Sequence, residues 1–311
     1  MKQNSKYLII VNPNAGKHQA KANWPEISTL LKAESIDYEV LFTQYRHHAI
    51  KLVKNNIEQK GYTNIIVVGG DGTINEVVNG IFKQEVFAPS EITLSAITIG
   101  TGNDWARMFD IPKDYASAIK TIKNGHTYKQ DVGKVYYHIG QNKKCRYFIN
   151  AAGLGFDALV TNTTNRQKEN GKSSTFSYFS NMLKSLYKYK AMEVHIKAGK
   201  REIHKGMLFT LSLAIGRYTG GGMQQTPNAV SNDGLFDLML VDKIAKTKLL
   251  RKVSKLFNGK IDHIKEVQSV QTNNLQVESD AKLMIEIDGE NIGHGPLEFE
   301  IRQEALQITI P

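Results

Sequence analysis

Residues 64–80, NIIVVGGDGTINEVVNG, decide the fold. The apolar run from Ile65 to Val68 shows no polar alternation, as expected of a strand covered on both faces. Gly69, Gly70 and Gly72 follow, and glycine lets a chain turn sharply and lets its backbone come close to a ligand. A helix is expected from Ile74 through NEVVNGIFK. The stretch therefore reads as buried strand, glycine turn and helix.

The same pattern extends on both sides. KYLIIVNPNAG (6–16) is a short apolar strand ending in a Pro/Gly turn, and ANWPEISTLLKAE (22–34) sets Ile27, Leu30 and Leu31 at helical spacing. YEVLFT, HHAIKLVKNNIEQ, TLSAITIG and DWARMF continue as strand, helix, strand and short helix, with Leu94 to Ile99 a second unalternating run. Strands alternating with helices predict a parallel, doubly wound α/β domain over residues 1–130. From DVGKVYY onward the texture changes to short β-prone runs between Gly/Asn turns: RYFINAAG, MEVHIKA, GMLFTLSLAIG, GLFDLMLV, KLMIEIDG, LEFEI and LQITIP. These predict a second, antiparallel β-sandwich or barrel-like domain over residues 131–311, whose last strands pack back toward the first. Helical inserts are expected over about Phe176–Tyr189 and Thr247–Phe257.

The chain has 311 residues, enough for two domains with cores of their own. Its single cysteine, Cys145, excludes an intrachain disulfide, and Cys/His clusters at zinc spacing are absent. MKQNSKYLIIVNP holds an apolar run too short for a signal-peptide core, and no apolar stretch reaches the roughly 18 residues of a membrane span. A cytoplasmic protein is expected. The formal charge of +10 points to an anionic partner. The excess is concentrated in residues 166–205, with 10 basic and 3 acidic side chains, and 243–265, with 8 and 1.

Three glycine-rich loops follow strands of the first domain: NPNAG (12–16), GGDGTINE (69–76) and GTGND (100–104). Ligands of open α/β sheets sit at the carboxyl ends of the strands, so these loops should line one crevice. The helix after Gly72 would aim N–H groups and a positive dipole end at that crevice, and Thr73 and Thr101 would add hydroxyls, an arrangement suited to phosphate. A plain Gly-Asp-Gly turn is the bland alternative for any one loop. GxxxxGK[ST] is absent, and GGDGTI lacks the GxGxxG spacing.

NPNAGK, VVGGDGTINEVVNG and IGTGNDWAR together resemble the catalytic domain of the diacylglycerol kinases, in particular the soluble bacterial lipid kinases. The resemblance continues through TGGGMQQTPNAVSNDGLFDLMLV and IEIDGE, and so covers nearly the whole chain. Thr98 departs from the pattern by standing where the family usually has proline before GTGND. The resemblance implies an ATP-dependent kinase of a lipid hydroxyl. In it Asn12 and Gly16 flank the phosphates, Gly69, Gly70, Asp71, Gly72, Thr73, Ile74 and Asn75 form the phosphate loop, Thr101 closes the other wall, and Thr43 contacts nucleotide. Thr43 has a structural alternative as the helix N-cap of HHAIKLV. The family's proton acceptor falls on the IDGEN turn, at Glu290 with Asp288 close behind. Asp71 is a third contender, because the sphingosine kinases, which look similar, place the base there.

Mg²⁺ is expected with the nucleotide near Asp71, Asp104 and Asp131, or in the SNDGLF loop, where Asp233 and the carbonyls of Val230 and Leu235 resemble a metal loop of the bacterial lipid kinases. In the helical inserts, Phe176, Phe179, Leu183, Leu186 and Tyr187 form one apolar face, and Leu249, Leu250, Val253, Leu256 and Phe257 another, each beside lysines. Such faces either cover the β core or dock transiently on an anionic leaflet, giving a cytoplasmic enzyme that visits the inner membrane face to reach its lipid substrate. Nucleic acid is not an expected partner, and the oligomeric state, a homodimer included, stays open. The alternatives are an NAD-kinase-like enzyme with a soluble substrate and a non-catalytic nucleotide-binding regulator.

Overall fold

The computed structural model describes residues 4–100, 102–169, 185–187, 189–242, 244–248, 255, 258–259, 261 and 264–311. The chain divides into two compact units, Met1–Val132 with Gln303–Pro311, and Gly133–Arg302.

The first unit is built on parallel strands β1 (Asn4–Val11), β2 (Tyr38–Phe42), β3 (Tyr62–Gly69) and β4 (Thr93–Thr98). Their order is β2-β1-β3-β4, with Ile9 opposite Val40 and Ile66, and Ile66 opposite Ser95. Gln307 and Ile308, near the chain's end, add a further parallel partner beside Thr93 and Leu94. Ile9, Val11, Ile66, Val68, Ile97 and Ile99 share a core with Ala20, Ile27 and Leu31 of α1 (Gln19–Ala33) and Ala118, Ile119 and Ile122 of α5 (Tyr115–Asn124). The alternate residues Leu8, Ile10, Ile65 and Val67 are also fully buried, and strand pleating turns them to the opposite face. Helices α2 (His48–Lys60) and α3 (Asp71–Lys83) pack against β3 and against each other, Gly80 making room for Val53, to which a β-carbon would come within 2.7 Å. Burial on both faces explains the unbroken apolar runs.

The second unit is antiparallel. Strands β7 (Ala151–Gly155), β8 (Met192–Ala198), β9 (Arg201–Ala214), β12 (Asn274–Glu278), β13 (Met284–Ile287) and β14 (Glu290–Thr309, up to Arg302 within this unit) pair in a closed ring, β7-β13-β14-β12-β8-β9 and back to β7. Strand β10 (Phe236–Asp242) extends from β9 and carries β11 (Val267–Thr272), while β5 (Thr127–Ile139) pairs with β6 (Asn142–Phe148). Leu154, Leu211, Leu213, Leu238, Leu275, Ile285, Leu297 and Phe299 point into one core.

Several local expectations are corrected. RYFINAAG is not one strand: it breaks at Ile149–Asn150 into β6 and β7. A helix, α6 (Phe156–Glu169), follows β7 where the Thr/Asn-rich sequence signals none. Helix α3 starts at Asp71, three residues ahead of Ile74, with Gly70 as its N-cap. Gly70 is extended there (φ −100°, ψ −173°), and neither it nor Gly69 or Gly72 adopts positive φ. The loop uses these glycines for space and not for left-handed turns.

Candidate functional site

In the first unit the three glycine-rich loops close on one another at the carboxyl ends of the strands. The Asn12 N–H donates to the Val68 carbonyl at 3.0 Å, and Ile99 N–H donates to the Gly69 carbonyl at 2.9 Å, tying the first and third loops to the second. A β-carbon on Gly69 would lie 2.7 Å from Thr73 Oγ1, and one on Gly100 would lie 3.2 Å from Gly70 Cα. Thr73 Oγ1 accepts from Asn12 Nδ2 at 3.0 Å, which leaves the threonine's own proton to donate elsewhere. Gly16 is left-handed (φ 61°), and a side chain there would strike Ile99 at 2.8 Å. Lys17 and His18 also have positive φ, a strain that non-glycine residues bear mostly where function or packing demands it.

Asp71 spans two of these loops. Its Oδ2 accepts from Asp104 N–H and its Oδ1 from Trp105 N–H, each at 3.4 Å, so the GGDGT carboxylate caps α4 (Asp104–Met108) of the GTGND loop. Asp71 Oδ2 and Asp104 Oδ2 flank Gly102, at 3.2 Å and 3.5 Å from where its β-carbon would be. Thr43 is buried, its N–H donating to Val11 O at 2.9 Å. It does not cap α2, whose N-cap is His47. That helix end is served instead by Glu76, a residue the sequence reading passed over, which accepts from His47 N–H at 2.8 Å and Ala49 N–H at 3.2 Å. Ile74 and Asn75 are both 1% exposed, and Asn79 donates to Asn75 through its side-chain amide. Thr101 lies outside the described residues.

In the second unit, IDGEN forms a hairpin between β13 and β14 whose two loop residues, Asp288 (φ 46°) and Gly289 (φ 82°), both take positive φ, as a type I′ turn requires. The Asp288 side chain does more than turn. Its Oδ1 accepts from Asn150 N–H (3.1 Å) and Ala151 N–H (3.0 Å), and its Oδ2 from Ile149 N–H (3.1 Å), collecting the amides freed where β6 breaks into β7. Glu290 is held by Arg146, Oε2 to Nη2 at 3.2 Å.

A family model described as the diacylglycerol kinase catalytic domain matches residues 6–135, and one described as the YegS C-terminal NAD kinase beta sandwich-like domain matches residues 150–310. The chain belongs to the diacylglycerol kinase family. A diacylglycerol kinase of Staphylococcus epidermidis is 30% identical over 97% of this chain and 91% of its own length, and one of Staphylococcus haemolyticus is 29% identical over 97% and 87%. The crystal structure of a diacylglycerol kinase from Bacillus anthracis str. Sterne shares the fold at a TM-score of 0.74, covering 100% of this chain and 98% of that one at 24% identity.

Within this kinase-family scaffold, the expected metal ligands separate. Asp71 and Asp104 come together. Asp131 is fully buried and accepts the Glu304 N–H at 2.7 Å, anchoring the returning C-terminal segment within the first unit. In SNDGLF, Asp233 is exposed and closes a turn by accepting Leu235 N–H at 3.0 Å, while Val230 is 46% exposed. Among the described residues, no group of three or more His, Cys, Asp or Glu side chains is arranged to hold a metal. Of the first apolar face, Phe176, Phe179 and Leu183 lie outside the described residues, as does all of the second. Leu186 is 4% exposed but Tyr187 is 83% exposed, so Tyr187 does not share the buried face. Lys246 Nζ donates to the Tyr187 carbonyl at 2.6 Å and lies 5.8 Å from its ring centre, which joins the two basic blocks.

Proposed function

We propose that this protein is an ATP-dependent lipid kinase, transferring the γ-phosphoryl group of ATP to the hydroxyl of diacylglycerol or a related lipid alcohol. The observation that carries this reading is the close packing of the Asn12, Gly69–Thr73 and Gly100 loops against one another at the N-terminus of a 13-residue helix. Phosphoryl transfer needs charge neutralisation and positioning more than covalent chemistry. The amides that lead α3, ahead of the Thr73 and Ile74 N–H groups that donate to Gly70 O, and the Thr73 hydroxyl supply neutral donors to phosphate oxygens. The space beside Gly102, bordered by the Asp71 and Asp104 carboxylates, fits a magnesium ion that keeps most of its coordination for phosphates and water. Bound there, Mg²⁺ would offset phosphate charge.

Of the three carboxylates expected as base, Glu290 is the one we assign. Asp288 accepts three amides and Asp71 two, so each has a backbone-holding task, whereas Glu290 follows the turn and pairs with the Arg146 side chain. Arg146 orients Glu290 to accept the lipid hydroxyl proton.

The test is incubation of purified protein with γ-labelled ATP, magnesium, and either mixed vesicles containing diacylglycerol or soluble NAD. Label should enter the lipid. Transfer to NAD instead would select the soluble-substrate kinase, and tight ATP binding with no transfer to any lipid extract would select the non-catalytic regulator.

A further inference from the structure

Beneath the IDGEN turn sit two acidic side chains that the proposed reaction does not use. Glu286, on β13, accepts the Gly289 N–H on its Oε2 at 3.0 Å, gripping the turn from its base. Its other oxygen lies over Gly153, the residue opposite it on β7. A β-carbon on Gly153 would sit 2.6 Å from Glu286 Oε1 and 2.9 Å from Asp157 Cβ, so the glycine makes room for the two acids to approach. Asp157, in the first turn of α6, accepts from Gln225 Nε2 at 3.2 Å, and Gln225 accepts the Thr219 hydroxyl at 3.0 Å. A polar chain thus runs from the TGGGMQQ loop through Gln225 to Asp157, with Glu286 next to it on the turn.

Two half-buried acids that border the same small space over Gly153 do not both ionise freely. We propose that Glu286 and Asp157 hold one proton in common, and that Glu286 is a positioning residue whose neutral carboxyl fixes the Gly289 backbone and thereby the direction of Glu290. The inference rests on the reading of Glu290 as base.

The surroundings agree. Both residues are half-buried. Burial, with the charges of Asp157 and Asp288 adding to it, pushes Glu286 up to about 8, against the pull of the Gly289 N–H. Burial pushes Asp157 up to about 6, opposed by Thr210 and Gln225. The other ionisable groups nearby are Tyr189, raised mainly by burial and further by Asp157, and the Glu290–Arg146 pair. Between about pH 6 and 8 Asp157 is therefore the anion and Glu286 the acid. Above about 8 both are charged, and their repulsion displaces Glu286 together with the turn it holds.

Infrared titration of the purified protein carrying ¹³C-labelled glutamate reads the proton without any need for activity. At pH 7 a protonated glutamate carboxyl band should be present, and it should vanish as pH rises through about 8. Glu286→Gln should lack it, and Asp157→Asn, by removing the neighbouring anion, should move its midpoint to lower pH. In the lipid kinase assay, kcat should decline over the same alkaline range. Glu286→Gln, which keeps the acceptor and stays neutral, should lose that decline, while Glu286→Ala should lower kcat on the order of 10- to 100-fold with little change in KM for ATP.

Absence of the band at pH 7 overturns the shared proton even if Glu286→Gln fails to fold, because the wild type alone decides it. An alkaline decline that persists in Glu286→Gln overturns the positioning role. Normal turnover by Glu290→Gln would remove the base assignment, and with it the positioning role, while the infrared band would still stand.

Discussion

A β-carbon on Gly69 would meet the Thr73 side chain at 2.7 Å from its oxygen and 2.8 Å from its Cβ, both close to the helix backbone and with little room to move. Gly69→Ala should therefore displace Thr73 from Asn12 and weaken ATP binding on the order of tenfold, the worth of about one hydrogen bond to a charged group. Calorimetric titration beside an unchanged circular dichroism spectrum checks this, and wild-type affinity would exclude Thr73 from phosphate binding. The two carboxylates of the hairpin should behave oppositely. Glu290→Gln should lower kcat by about 10² to 10⁴ and leave the melting temperature and ATP affinity in place. Asp288→Asn should instead lower the melting temperature, because the amide nitrogen of asparagine must face a backbone donor that Asp288 now satisfies. A stable but inactive Asp288→Asn would hand the base to Asp288. Sequence made IDGEN conspicuous as an Asp-Gly turn with two carboxylates, but the division between a holding and a reacting group follows from hydrogen bonds made 137 to 139 residues away.

At the scale of elements, the Glu76 carboxylate on α3 serves the first turn of α2, whose N-cap makes no side-chain hydrogen bond of its own. Glu76→Ala would leave two amides at that buried end without their acceptor and should cost about 1 to 3 kcal/mol, a fall of several degrees in melting temperature. Glu76→Gln, which can still accept one amide, should recover part of the loss. Melting curves check both, and an unchanged melting temperature in Glu76→Ala would mean that water replaces the carboxylate without penalty. Long-range service of this kind leaves no trace in local sequence, so Glu76 read as an ordinary helix residue. The parallel strands were legible because double-sided burial forces unbroken apolar runs such as Ile65–Val68. Helix α6 was not, since TNTTN offers poor helix formers and the segment's helicity depends on packing Phe156, Ala158 and Val160 into a core. Asp157, carried on its first turn, was hidden along with it. Strands β11 and β12, with sequences VQSVQT and NLQVE, were missed for a related reason: they alternate too many polar residues to stand out, and β12 counts in the ring only through its pairs with β8 and β14.

For the molecule as a whole, the question is how a kinase of lipid would reach its substrate. No described helix is long and apolar enough to cross a membrane. Of the net +10 charge, most lies after residue 130, with 25 basic and 18 acidic side chains there against 15 and 12 before it. Tyr187, 83% exposed, stands with the Lys246 ammonium against its ring, an aromatic and a cation presented together at the surface. Tyrosine favours the headgroup level of a bilayer, and each lysine near an anionic leaflet contributes about 1 kcal/mol. Sedimentation with anionic vesicles should therefore be strong at low salt and decline as salt rises, since exposed charges are screened over about 8 Å at physiological ionic strength. Neutral vesicles should bind weakly. Tyr187→Ala and Lys246→Glu should each reduce the bound fraction while ATP affinity, which we assign to loops of the other unit, stays unchanged. Equal binding to neutral and anionic vesicles, or indifference to both substitutions, would return this surface to a purely structural role and require another route to the lipid.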